Sequence, residues 1–218
     1  MTRSALLLSA ALLLMPAVCA AQSQWEADIA AFESADRSET PPHGAALFVG
    51  SSSIRMWTTL AADFEGTQVI NRGFGGSRMA DLIHYVNRIV MPYAPRVIVV
   101  YEGDNDIASG MPVQRVMDDY RRFVSLVRNQ LPDVRIAFIA IKPSLARWDM
   151  APEMKRANAS IEAFAAGSKD LDFIDVWVPM LGDDGRPMPD LFLDDGLHMN
   201  EKGYAIWMRA VAPFLSTE

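Results

Sequence analysis

The chain has 218 residues, 50% of them apolar, with no repeat or low-complexity tract; this excludes a disordered or fibrous protein and points to a globular domain with a sizeable core. A formal net charge of −7 argues against nucleic acid or an anionic membrane surface as the main partner. The one cysteine, Cys19, rules out an internal disulfide.

Residues 1–21 read as a secretory signal peptide. Arg3 supplies a positive start. Ala5 to Val18 form an apolar run broken only by Ser9 and Pro16, and Cys19-Ala20-Ala21 offer small residues for cleavage after Ala20 or Ala21. The run is shorter than the ~20 residues that a membrane-spanning helix needs. Cys19 leaves lipid attachment open as a variant, although Val18 before it suits a lipobox poorly. Cleavage would leave one domain over residues 22–218, free of cysteine and without stable membrane insertion, in a bacterial periplasm or outside the cell. Its oligomeric state is left open.

Along the remaining chain, Ser23 to Arg37 predict an N-terminal helix, and Thr40 to Gly44 a loop. Short apolar runs predict strands at 45–49, 67–70, 97–101, 135–141 and 173–176. Helix-period stretches separate them at Ser77–Ile89, Val113–Asn129 and Pro152–Gly167, and a last one runs from about Asn200 to Phe214. Continuous apolar strands alternating with helices mark a parallel sheet covered on both faces. The expected fold class is α/β: a flavodoxin-like, three-layer α/β/α sandwich around a central, mostly five-stranded parallel sheet with right-handed crossovers.

In such sheets, ligands bind beyond the carboxyl ends of the strands, and the unusual residues fall there. The first strand runs into Gly50-Ser51-Ser52-Ser53-Ile54-Arg55, the second into Asn71-Arg72-Gly73-Phe74-Gly75-Gly76-Ser77, and the third into Glu102-Gly103-Asp104-Asn105-Asp106. The fifth leads through a long loop to Asp195-Gly196-Leu197-His198. Glycine-rich turns let backbone N–H groups approach a ligand. A serine at the mouth of a helix is placed to attack an electrophile among groups that favour a developing anion. Positions i and i+3 share a face of a turn, so Asp195 can reach the His198 ring, fix its tautomer and leave a general base.

These four turns, in this order, resemble the sequence blocks of the SGNH hydrolases, also called GDSL esterases and lipases. Phe48-Val49-Gly50-Ser51-Ser52-Ser53-Ile54 stands where that family has Gly-Asp-Ser-Leu or Gly-Asp-Ser-Ile. Gly103-Asp104-Asn105-Asp106 matches Gly-x-Asn-Asp, and Asp195 with His198 matches Asp-x-x-His. The resemblance runs from about Ala45 to Phe214. It implies Ser52 as nucleophile, His198 as its base and Asp195 as the carboxylate that orients the base. It also implies an oxyanion hole made of the Ser52 N–H, the Gly76 N–H and the Asn105 side-chain amide, with no metal and no cofactor. Ser51 stands in place of the family's usual Asp, which keeps Ser53 and Ser51 as alternative nucleophiles. Lys142-Pro143-Ser144-Leu145-Ala146-Arg147-Trp148 resembles a segment of a subgroup that also carries the Gly-Ser-Ser-Ser turn.

The implied activity is that of an exported serine esterase acting on short acyl esters, acetyl groups on carbohydrate among them. An acyltransferase, a lysophospholipase and a non-catalytic carbohydrate-binding protein are the alternatives on the same fold. Arg55, Trp57, Arg147 and Trp148 are candidates for lining an acyl or alcohol pocket, with ordinary packing as the other reading. His43 and His84 have no matching partner and are expected at the surface. The carboxylates Asp183, Asp184, Asp190 and Asp194 fit no calcium loop. Gly73-Phe74-Gly75-Gly76 lacks the G-x-G-x-x-G spacing of a dinucleotide site.

Overall fold

β1 (Ala46–Gly50), β2 (Val69–Gly73), β3 (Val97–Tyr101), β4 (Arg135–Ile139) and β5 (Leu171–Ile174) form one parallel sheet in the order β2-β1-β3-β4-β5. The helices are α1 (Glu26–Ser38), α2 (Ser52–Arg55), α3 (Leu60–Asp63), α4 (Met79–Ile89), α5 (Asp104–Ala108), α6 (Val113–Gln130), α7 (Ala151–Ala165) and α8 (Glu201–Leu215). The computed structural model describes residues 23–215; the expectations for the signal peptide and for Cys19 lie outside them.

Strand side chains alternate between the two faces. Leu47, Val49, Ile98, Val100, Ile136 and Phe138 meet α1, α4, α6 and α7 on one side. Ala46, Phe48, Val97, Val99, Ala137 and Ile139 meet α2, α3 and α8 on the other. Both faces are covered, so the central strands are apolar throughout, as the expected three-layer architecture requires. Each fully buried Val, Leu, Ile or Phe contributes about 1.5–3 kcal/mol.

Three details differ from the sequence reading. β2 extends to Gly73, beyond the expected end at 70, because an edge strand tolerates the half-buried Asn71 and Arg72. Arg72 pairs with Asp36, and its Nε donates to the Tyr93 hydroxyl at 2.7 Å. β5 lies two residues earlier than expected, since Leu171 is buried and supplies its first inward side chain. Helices α2, α3 and α5 have four or five residues, too short to show a helical period in sequence. The last helix is capped by Asn200, whose Oδ1 accepts the Lys202 N–H at 2.9 Å.

The sheet changes direction at β1, so the ends of β1 and β3 border the crevice where such folds bind ligands. Here the backbones come very close. Gly50 has φ 139°, and a Cβ built on it would lie 2.0 Å from the Tyr101 carbonyl oxygen. The Ser51 N–H donates to that same oxygen at 3.2 Å, and the Phe74 N–H donates to the Gly50 carbonyl at 2.9 Å. One glycine thus ties together the turns that follow β1, β2 and β3. Gly50→Ala is expected to cost about 4 kcal/mol or more in urea unfolding, from clash and backbone strain together. Gly110→Ala, with φ 82° but open space around it, should cost only about 1 kcal/mol. Equal losses at the two positions would refute the close-approach argument.

Candidate active site

Ser52 opens α2, one residue behind this contact. Its Oγ lies 3.0 Å from Nε2 of His198, and Nδ1 of the same ring lies 2.5 Å from Oδ2 of Asp195. An ionised carboxylate only accepts, so Nδ1 carries the proton and Nε2 presents its lone pair to the Ser52 hydroxyl. Asp195 is oriented in turn, its Oδ1 accepting the N–H groups of Leu197 and His198, both at 2.9 Å. Gly196 makes the turn at φ 63°, and the His198 carbonyl is held by the Leu193 N–H at 2.8 Å.

Among the described residues, neither Ser51 nor Ser53 hydrogen-bonds to His198. Both are buried, at 2% and 3% exposure, whereas Ser52 is half-buried. The Tyr204 hydroxyl donates to the Ser53 carbonyl at 2.9 Å and fastens α2 to α8.

Beside Ser52 are groups able to bind an anion. Among the described residues, no acceptor takes the backbone N–H of Ser52 or of Gly76. Gly76 sits at φ 78°, exposed, with nothing within 4 Å of a Cβ built on it. The Asn105 side chain has both ends defined by what its neighbours can do. Arg147 can only donate, so Oδ1 faces its Nη2 at 3.0 Å; the Ser77 carbonyl can only accept, so Nδ2 faces it at 2.9 Å. The second Nδ2 hydrogen remains for a ligand.

Arg147 is held from below. Its Nη1 donates to Asp104 at 2.6 Å, and the buried Lys142 donates to the same carboxylate at 3.1 Å. Burial alone would raise the Asp104 pKa, but the charges of Lys142 and Arg147 outweigh it and hold it below the ordinary carboxylate value. Glu102 is the opposite case. Burial, and then the Asp106 charge, push its pKa well up. Ser77 Oγ lies 2.6 Å from Glu102 Oε1 and 2.9 Å from the Phe74 carbonyl. The Ser77 hydroxyl thus sits between the Glu102 carboxyl and the Phe74 carbonyl. Of these supporting groups, sequence reading placed Ser77, Glu102, Asp104 and Asp106 in the turns and Arg147 among the pocket candidates, without linking them to one another. A lysine closing the apolar run 136–141 was the available sign of Lys142.

A family model for GDSL-like lipases and acylhydrolases matches residues 43–206. The chain belongs to this GDSL-like lipase/acylhydrolase family. No curated protein matches it in sequence. Solved structures share the GDSL-like fold. A Streptococcus pneumonia protein named for platelet activating factor is 18% identical with a TM-score of 0.79, covering 91% of this chain and 96% of its own. A GDSL-like lipase from Bacteroides thetaiotaomicron is 19% identical with a TM-score of 0.73, covering 89% and 96%. A catalytic mutant of an acetylxylan esterase from Geobacillus stearothermophilus is 18% identical with a TM-score of 0.65, covering 83% and 97%.

Trp57 is core: 1% exposed, it packs against Phe48, Phe64, Tyr204 and Trp207, and its Nε1 donates to Asp63 at 2.6 Å. Trp148 is half-buried, with the Trp177 ring centre 6.1 Å and the Arg186 guanidinium 5.9 Å from its own ring centre. Arg55 is exposed, with its guanidinium against Gly75, and Arg147 binds Asn105. His43 and His84 are exposed. Among the described residues, no group of three or more His, Cys, Asp or Glu side chains could hold a metal ion.

The His198 hydrogen bond is the largest of several influences that lower the Asp195 pKa from 3.8 to about 2. A carboxylate with a lowered folded-state value stabilises the fold above its unfolded value near 3.8 and loses that contribution as pH falls toward 2. Asp195 is 46% exposed, so solvent screening keeps the contribution small. An NMR titration of the Asp195 carboxyl should give a midpoint near 2 in the wild type and move back toward 3.8 in His198→Ala. An unmoved midpoint would contradict the bond.

Proposed function

We propose that the protein is an exported serine esterase that hydrolyses short acyl esters through an acyl-enzyme. The observation that carries the reading is the continuous chain from Ser52 Oγ to His198 at 3.0 Å and on to Asp195 at 2.5 Å. In the first step Ser52 Oγ attacks the ester carbonyl while Nε2 of His198 takes its proton. Asp195 supports the imidazolium so formed. The carbonyl oxygen, now an anion, is received by the N–H groups of Ser52 and Gly76 and by the free Asn105 amide hydrogen. His198 then gives the proton to the leaving alcohol. In the second step water attacks the acyl-enzyme with the same base. Each oxyanion donor in such a site is worth about 10²–10³ in kcat.

The short-acyl reading draws on the absence of a long apolar segment fit for a lid in the sequence. The acetylxylan esterase among the fold neighbours makes acetylated carbohydrate a natural first substrate. Export is part of the proposal and rests on the signal-like residues 1–21, with residues 22–218 as the mature domain. Among the described residues, no helix is long and apolar enough to cross a membrane. An acyltransferase would share the acyl-enzyme and differ only in the acceptor.

The test is release of p-nitrophenol from acetyl, butyryl and octanoyl esters by residues 22–218. The acetyl ester should be turned over fastest, and Ser52→Ala should lower kcat by about 10⁴-fold or more. Full activity in Ser52→Ala would move the nucleophile elsewhere, and a rate rising to octanoyl would remove the short-acyl reading.

A further inference from the structure

The turn that follows β2 is bordered by arginines in a chain whose net charge is −7. A cleft of about 330 Å³ opens beside it, lined among others by Gly76, Arg78, Asn105, Ser109 and Arg147. Two of these residues, Gly76 and Asn105, are the oxyanion donors of the reading above. The cleft is therefore continuous with the place where an ester carbonyl would sit.

Arg78 and Arg147 line the cleft, while Arg55 lies outside this lining, its guanidinium against Gly75 and, among the described residues, without a carboxylate partner. Arg78 reaches its nearest carboxylate, Asp81, only at 3.6 Å, beyond hydrogen-bond distance. Elsewhere Arg88, Arg115 and Arg156 meet carboxylates at 2.6, 2.6 and 2.7 Å. Arg147 does have a close carboxylate, but Asp104 is shared with Lys142, so two cations answer one anion. Of the nearby acids, Asp106 accepts the Met79 N–H at 3.3 Å, and the Asp81 oxygen that faces the Arg78 guanidinium also accepts the Arg78 N–H at 3.0 Å. Two guanidinium groups, of Arg78 and Arg147, thus line the cleft. A guanidinium fork suits carboxylate, phosphate and sulfate oxygens.

We propose that this cleft binds an anionic group carried by the substrate, so that the preferred ester bears a carboxylate, phosphate or sulfate within a few bonds of the scissile carbonyl. The proposal rests on the serine-esterase reading of the Ser52 site. Arg147 would then serve both ends, holding Asn105 toward the oxyanion and adding positive potential to the cleft. A neutral ester has nothing to offer the Arg78 guanidinium.

The test uses ester pairs that differ by one charge, followed by pH-stat: monomethyl and dimethyl succinate, with the charge on the acyl side, and O-acetylglycolate and its methyl ester, with the charge on the alcohol side. The ratio of kcat/KM for charged over neutral ester should be about tenfold or more in one pair. It should shrink toward one in Arg78→Gln, and fall with rising salt. Ratios at or below one in both pairs, indifferent to this substitution, would overturn the proposal while leaving the esterase reading intact. Absence of Ser52-dependent hydrolysis of all four esters would instead sink that reading. The cleft is then decided by amide NMR of Ser52→Ala. Monomethyl succinate should shift the Gly76 and Asn105 resonances saturably, and dimethyl succinate should bind at least tenfold more weakly. Equal binding of the two, or inorganic phosphate shifting these resonances without displacing the ester, would overturn the proposal.

Discussion

The close approach of β1 and β3 at Gly50 is the constraint on which the rest depends. With no side chain there, the Tyr101 carbonyl can approach a built Cβ position to 2.0 Å and take the Ser51 N–H, while the Gly50 carbonyl takes the Phe74 N–H. Three strand ends are thereby held in one plane of hydrogen bonds. A second close approach reinforces this, since a Cβ on Gly73 would meet the Arg55 backbone nitrogen at 2.3 Å. The turns above these contacts have little freedom, and Ser52, Gly76 and Asn105 inherit their positions from them. Only His198 and Asp195 arrive from elsewhere, on a loop that supplies its own order through the Asx-type bonds of Asp195.

Under the crevice, the fold spends burial on charge. Lys142 is 1% exposed and Asp104 4%. Breaking such a pair by removing one partner leaves an uncompensated buried ion, at a cost of about 3–5 kcal/mol. What this arrangement secures is direction: the cation of Arg147 decides which way the Asn105 amide points. Buried Glu102, hydrogen-bonded to the Ser77 hydroxyl, holds Ser77 in place, and the Ser77 carbonyl holds the other end of Asn105. A site that must receive a transient oxyanion gains from donors that are already oriented, because no reorganisation is then needed during reaction.

The central layer was legible from sequence because buried parallel strands are written as unbroken apolar runs, and 97–101 coincides with β3 to the residue. Edge strands were less legible: Asn71 and Arg72 look like loop residues, yet one open side lets them continue β2. The Asp195–His198 pair was visible as spacing, and its link to Ser52 came through resemblance, since 146 residues separate the serine from the histidine. For Trp57 and Trp148 the sequence left pocket lining and ordinary packing both open; Trp57 lies in an aromatic core, and Trp148 is half-buried beside Trp177 and Arg186. The support of Asn105 by Lys142 and Arg147 could not be read from the chain, because it joins residues about forty positions apart that carry no shared spacing.

The central claim is that the His198–Asp195 pair activates Ser52 and no other serine. The most direct measurement is labelling of residues 22–218 with a fluorophosphonate, followed by peptide mass spectrometry. The account predicts a single adduct on Ser52 that forms in the wild type and is lost in His198→Ala. An adduct on Ser51 or Ser53, or equal labelling of Ser52 without the imidazole, would contradict it.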